Sequence, residues 1–269
     1  MLSIFKNIMR PIWRAAEIRI DKKLNIVNNG IEQLLVMIEQ TNNNIDILPD
    51  KISCVTSTHN NFHKQISSCE KSHIIISGVG RSGTTLLVQY FSALGLDTGF
   101  TEEESMSDVD PISHAGLEFT DICNEDTPYI IKSPWLCDTL EQSLNDKCAT
   151  IDAAIIPMRN LYAATASRAR ASKEASKLGI DPVEQPGGLW KCSTVDNQQQ
   201  ILAEQFYKII YVLVNNDIPI YFIDFPRFAE DHCYLYEILK PILHQQGITH
   251  AESIAAHGRV VNRSLINKF

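Results

Sequence analysis

The segment Gly78-Val79-Gly80-Arg81-Ser82-Gly83-Thr84-Thr85 carries the strongest chemical signal in the chain. Glycines let main-chain N–H groups curl around an anion, and a helix beginning directly after them adds its partial positive charge. Lys132 and Arg159 each end an apolar run, and Ser167 follows Arg159 by eight positions, with Arg168 and Arg170 alongside. Between these cations lies an acidic stretch: residues 101–131 hold nine Asp or Glu and neither Arg nor a Lys. A carboxylate partly desolvated beside an anion gains proton affinity, so one of these acids is equipped to deprotonate a hydroxyl. The implied chemistry of the loop and the cations is the binding of a phosphorylated ligand.

The loop departs from that of nucleotide-hydrolysing enzymes. Those read Gly-Lys-Ser/Thr, with the lysine reaching the β- and γ-phosphates. Here Thr84 occupies the lysine position and the cation sits earlier, at Arg81. Without that lysine a γ-phosphate in transfer is poorly stabilised, although a 5′-phosphate is still gripped.

These residues need elements to hold them. Apolar, β-branched runs predict strands over 73–77, 129–132, 151–157 and 218–224. Helical patterning is expected over 86–94, 135–147, 160–178, 196–216 and 228–245, with a Pro/Gly loop at 181–190. Alternating strands and helices imply an α/β fold, a central parallel sheet of the P-loop type flanked by helices. Ligands bind beyond the carboxyl ends of such strands, so the 78–85 loop, Lys132 and Arg159 are expected at one edge of the sheet. Asp224 ends the last strand; the 201–214 stretch reads as core.

Gly-Val-Gly-Arg-Ser-Gly-Thr-Thr-Leu-Leu (78–87) resembles the 5′-phosphosulfate loop of sulfotransferases, in the arginine-bearing form of bacterial and Golgi-type members. Ile155-Ile156-Pro157-Met158-Arg159 with Ser167 is similar to the strand-end arginine and serine that hold the cofactor's 3′-phosphate in that family. Lys132-Ser133-Pro134 looks like a Lys-Ser/Asp-Pro turn of related bacterial enzymes, although Trp135 stands where an arginine often follows. The resemblance covers roughly residues 73–240. It implies sulfuryl transfer from 3′-phosphoadenosine 5′-phosphosulfate to a hydroxyl of a carbohydrate or surface glycan, with no metal. The implied cofactor-binding residues are Gly80, Arg81, Ser82, Gly83, Thr84, Thr85, Arg159 and Ser167, and Arg81 and Lys132 also stabilise the leaving phosphate. In the tyrosylprotein enzymes, which share this loop, the base is a glutamate about twenty residues past the loop arginine. Glu102 and Glu103 stand at that distance here; Glu118 and His114 are further candidates. Arg259 and Arg263 are expected on the surface or closing over the nucleotide.

The N-terminal part lies outside the resemblance. Residues 1–23 carry six basic side chains against two acidic ones, with Ile4, Phe5, Ile8, Met9, Ile12 and Trp13 at helical spacing. Such a basic amphipathic helix either rests on an anionic membrane surface or packs on the main domain. Over 24–50, Leu24, Ile31, Ile38 and Ile45 with Val27, Leu34, Thr41 and Leu48 form an a/d seam, through which 24–48 either self-associates as a homo-oligomer or docks. Residues 51–71 read as a linker and 72–269 as the catalytic domain. Cys54, His59, His63 and Cys69 match no common zinc spacing.

Composition bounds the rest. The net charge of −8 argues against a nucleic-acid partner, and no apolar stretch is long enough to span a membrane. Seven cysteines without a CxxC pair suit reduced thiols in a cytoplasm, on the inner face of the membrane if 1–23 binds there. Two alternatives stand beside the sulfotransferase: an ATP- or GTP-dependent P-loop kinase using Asp224 for magnesium, and a non-catalytic membrane-associated adaptor of the same fold.

Overall fold

The structure, a computed structural model, describes residues 71–266. The expected helices over 1–23 and 24–50, the 51–70 part of the linker, and the Cys54, His59, His63 and Cys69 set fall outside the described residues.

Strands β1 (Lys71–Ile76), β2 (Ile130–Lys132), β3 (Ala149–Met158) and β4 (Ile220–Asp224) form one sheet in the order β2-β1-β3-β4. Every neighbouring pair is parallel. β1 has a partner on both sides, so its three isoleucines are buried whichever way they point. Ile74 and Ile76 join one core with the apolar faces of α1 (Thr84–Ala93), α7 (His232–Gln245) and α8 (His250–Val260). Ile75, pointing the opposite way, joins a second core with α3 (Leu136–Asn145) and α5 (Gln198–Asn215). The period-two alternation of a strand thus serves two helical layers, the α/β arrangement expected from the sequence.

Three differences from the sequence reading have local causes. The stretch 228–245 is two helices, α6 (Arg227–Glu230) and α7, because Asp231 takes an extended conformation and its side chain accepts the Tyr234 N–H as an N-cap. Two unexpected helices, α2 (Glu102–Ser107) and α8, begin with capping boxes, Thr101/Glu104 and Thr249/Glu252. The Thr-x-x-Glu signature was present in the sequence both times.

The thiols are not all reduced: Cys123 and Cys148 form a disulfide. Cys123 lies in the loop entering β2 and Cys148 directly precedes β3. Both strands flank β1 in the same direction, so their amino ends meet at one edge of the sheet. Cys137, Cys192 and Cys233 are free. Among the described residues, no helix is long and apolar enough to cross a membrane.

Candidate functional site

The loop after β1 is held open by its glycines. Gly80 has φ +66°, and a Cβ there would stand 2.5 Å from Arg168 Nη2. Gly83, at φ +84°, is the N-cap of α1, and a Cβ there would stand 2.6 Å from the Phe228 ring. Arg81 itself adopts φ 56°, a costly conformation for a side-chain-bearing residue. No side chain caps α1, so its first-turn donors are left for something else. Ser82 Oγ is buried without a partner.

Three arginines converge on this loop. Arg81 Nε donates to Ser167 Oγ at 3.1 Å, and Arg81 Nη1 donates to Ser113 O. Arg159, at the tip of β3, donates from Nη1 to Arg81 O at 2.6 Å and lies 5.1 Å over the Phe225 ring. Arg168 and Ser167 come from α4 (Leu161–Lys177), whose Asn160 cap accepts the Ala163 N–H. Arg168 is 3% exposed and gives its guanidinium to Val79 O and Gly188 O at 2.8 and 2.7 Å.

Among the described residues Arg81 and Arg168 form no ion pair; their acceptors there are neutral oxygens. Burial, with repulsion from Arg159 and Arg170, pushes Arg81 down to about 10 against the weaker pull of Asp110. Burial and then Arg81 push Arg168 down to about 9. Burial lowers Arg159 as well. Arg81 and Arg168, held among neutral oxygens, are expensive to desolvate, and a polyanion would relieve them.

Lys132 is 4% exposed at the tip of β2. Its Nζ donates to Thr85 Oγ1 at 2.8 Å, Gly116 O at 2.6 Å and Glu118 Oε1 at 2.8 Å. Burial lowers its proton affinity and the Glu118 carboxylate opposes that. The lysine thereby ties its partner to the start of α1.

These groups line one cavity of about 910 Å³, in the size range of small-molecule sites. Gly80, Arg81, Gly83, Thr84, Thr85, Lys132, Arg159 and Ser167 all lie on its wall. The sheet edge thus gathers the cationic residues singled out from sequence, because all three strand tips point the same way. Ser82 is buried behind the wall.

The expected bases are placed differently. Glu102 and Glu103 are on α2 outside the cavity wall, and Glu102 Oε1 accepts from Arg259 Nε at 2.7 Å on the surface. Glu118 and His114 do line the cavity. α2 is a capped helix whose Met106, but neither Glu102 nor Glu103, lines the cavity. Asp224, on the edge strand, is also outside the wall. Arg259 lies on α8, and Arg263 gives Nη2 to Glu230 O at 3.3 Å.

Sequence reasoning missed a pair of residues that close the site. Asp110 Oδ1 accepts from Ser113 N at 2.6 Å, Ser113 Oγ at 2.7 Å and Gln185 Nε2 at 2.8 Å. One carboxylate joins the 108–118 loop to the 181–190 loop. Asp-Pro at 110–111 was a turn signal, but the partner is distant in sequence. Comparison of the chain with protein-family models, curated proteins and solved structures finds no match.

Proposed function

We propose that this chain is a sulfotransferase with a P-loop-type phosphate site, moving a sulfuryl group from 3′-phosphoadenosine 5′-phosphosulfate to a carbohydrate hydroxyl. The observation that carries the reading is the half-buried Arg81 and the buried Arg168, whose hydrogen bonds go to neutral oxygens, beside an uncapped helix start in the cavity. A donor with a phosphate at each end of its ribose supplies the missing counter-charge. The 5′ end sits on the 80–85 main chain, and the 3′-phosphate on Arg159 and Ser167. Ser167 Oγ accepts from Arg81 and still has its O–H to donate.

In the transfer step the acceptor oxygen attacks sulfur in line as the bond to the bridging phosphate oxygen breaks. Glu118 takes the acceptor's proton in place of Glu102 or Glu103. Lys132, 2.8 Å from that carboxylate, meets the charge developing on the departing phosphate with the loop amides. One ion pair thus serves both ends of the displacement.

The kinase alternative needs Asp224 against a magnesium-bound nucleotide, and Asp224 is outside the cavity. Thermal-shift titration separates the two. 3′-Phosphoadenosine 5′-phosphate is expected to raise the melting temperature without magnesium, with ATP and magnesium giving no comparable shift. The opposite pattern overturns the reading. Sulfur-35 transfer from labelled donor to a glycan panel then tests the activity.

A further inference from the structure

Past Lys132 the chain turns through Ser133 and Pro134 to Trp135, which lines the cavity and remains 37% exposed. Trp190, from the 181–190 loop, lines the same cavity. The two rings lie 6.0 Å apart between centroids and are tilted by 43°. Trp190 also meets the Arg168 guanidinium, 5.5 Å from its ring. Trp190 thus has both as neighbours, and Trp135 is the ring left open.

Both turns are fixed by buried glutamines on one face of α5. Gln198 is fully buried; its Oε1 accepts Trp190 N at 2.6 Å and its Nε2 donates to Trp190 O at 3.2 Å. Two helical turns on, Gln205 is 5% exposed and gives Nε2 to Pro134 O at 3.0 Å, although its Oε1 has no partner. A further tie joins the same two segments, the ion pair of Lys191 with Asp138. Burying an amide side chain is costly unless it is hydrogen-bonded, and here the bonds go to main-chain groups of the two turns. What the glutamines supply is the fixed placement of two tryptophan-bearing turns.

We propose that Trp135, braced by Trp190, is the acceptor shelf of the site, and that its occupant is a pyranose ring. The proposal rests on the sulfotransferase reading and specifies its acceptor subsite. One face of a β-linked pyranose presents mainly C–H groups, which pack on a flat indole without stripping water from the hydroxyls at the ring edge. Trp135, Lys132 and Glu118 line the same cavity, so a ring seated on the shelf shares that cavity with the Lys132–Glu118 pair. Both rings have few torsions and are held in advance, which lowers the entropy cost of binding.

The test uses the full chain with 3′-phosphoadenosine 5′-phosphate bound, and cellotetraose, chitotetraose and xylotetraose as probes. Tryptophan emission reports occupancy. At least one probe is expected to shift the emission saturably, with Trp135→Ala weakening that probe about tenfold or more and Trp135→Phe restoring most of the loss. Nucleotide stabilisation is expected to be unchanged in both variants, which also shows that they fold. If Trp135→Ala fails to fold, the emission response of the unaltered chain decides alone. Emission unmoved by all three probes, or equal affinity in Trp135→Ala, overturns the shelf. So does a response to a tyrosine-containing peptide but to no saccharide. Saccharide binding without any nucleotide binding leaves the shelf standing and removes the donor reading instead.

Discussion

Arg159 Nη1 donates to the main-chain oxygen of Arg81 at 2.6 Å, joining the tip of β3 to the glycine loop that follows β1. The side chain that would receive one end of the donor therefore also sets the backbone that receives the other. A polyanion bound here meets a loop already fixed in its unusual conformation, with φ 56° at Arg81.

Loss of either arginine should consequently be felt along the whole donor. Arg81→Ala and Arg159→Ala are each expected to abolish stabilisation by 3′-phosphoadenosine 5′-phosphate in thermal-shift titration. The Arg81→Ala variant should itself melt near the unaltered chain, because the desolvation of its guanidinium and the repulsion from Arg159 and Arg170 go together with its hydrogen bonds. Retained nucleotide stabilisation in both would show that the anion binds elsewhere.

Glu118 and Glu102 make opposite predictions. Glu118→Gln is expected to lower kcat by about a hundredfold or more while leaving nucleotide binding within a few-fold. Glu102→Gln and Glu103→Gln should keep full turnover, since neither side chain is on the cavity wall. Steady-state kinetics on the three variants, with calorimetry for the nucleotide, decides between them.

Gly83→Ala probes the packing behind the loop. A methyl group there meets Phe228 at 2.6 Å and Phe225 at 2.7 Å, in a left-handed backbone conformation. The combined clash and strain are expected to cost roughly 2–4 kcal/mol, read as a lower denaturation midpoint with an unchanged m-value.

His257 gives the fold an acid-sensitive point. It is 7% exposed on α8, and Nε2 donates to Phe228 O at 3.0 Å. Burial, reinforced by His232 and Arg263, holds its proton affinity below the ordinary value of 6.5, against the pull of Phe228 O and Asp231. A group depressed in the folded state contributes stability that is complete above its unfolded value and lost as pH falls through the folded one. Stability is therefore expected to decline as pH drops below 6.5, and His257→Asn should flatten that part of the profile. Equal slopes in urea melts of the two proteins from pH 7 to 5 would assign the acid sensitivity to other groups.

The four strands were readable one by one because each is a short apolar run next to a glycine, proline or charged stop. Ile151 to Pro157 is an example, lying within Ala149–Met158. The glycine loop was readable too: positive φ at Gly80 and Gly83 is a demand of the backbone itself, met by residue type alone. Asp231 shows the limit. A short cap interrupts an apolar pattern that runs straight through it, and the pattern outweighs one residue.

Local chemistry along the chain thus fixed the strands, most of the helices, the glycine loop and the cations at the strand tips, since each depends on neighbours within a few positions. The order β2-β1-β3-β4, the Cys123–Cys148 bond, the Asp110 tie to Gln185 and the place of Glu118 rather than Glu102 on the cavity wall were decided in three dimensions. Each joins segments far apart in the chain, and the pairing of distant groups follows from which strands lie side by side and which loops fold over their ends. Spacing in sequence measures distance along a path, whereas a carboxylate acts on whatever the fold brings within about 3 Å of it.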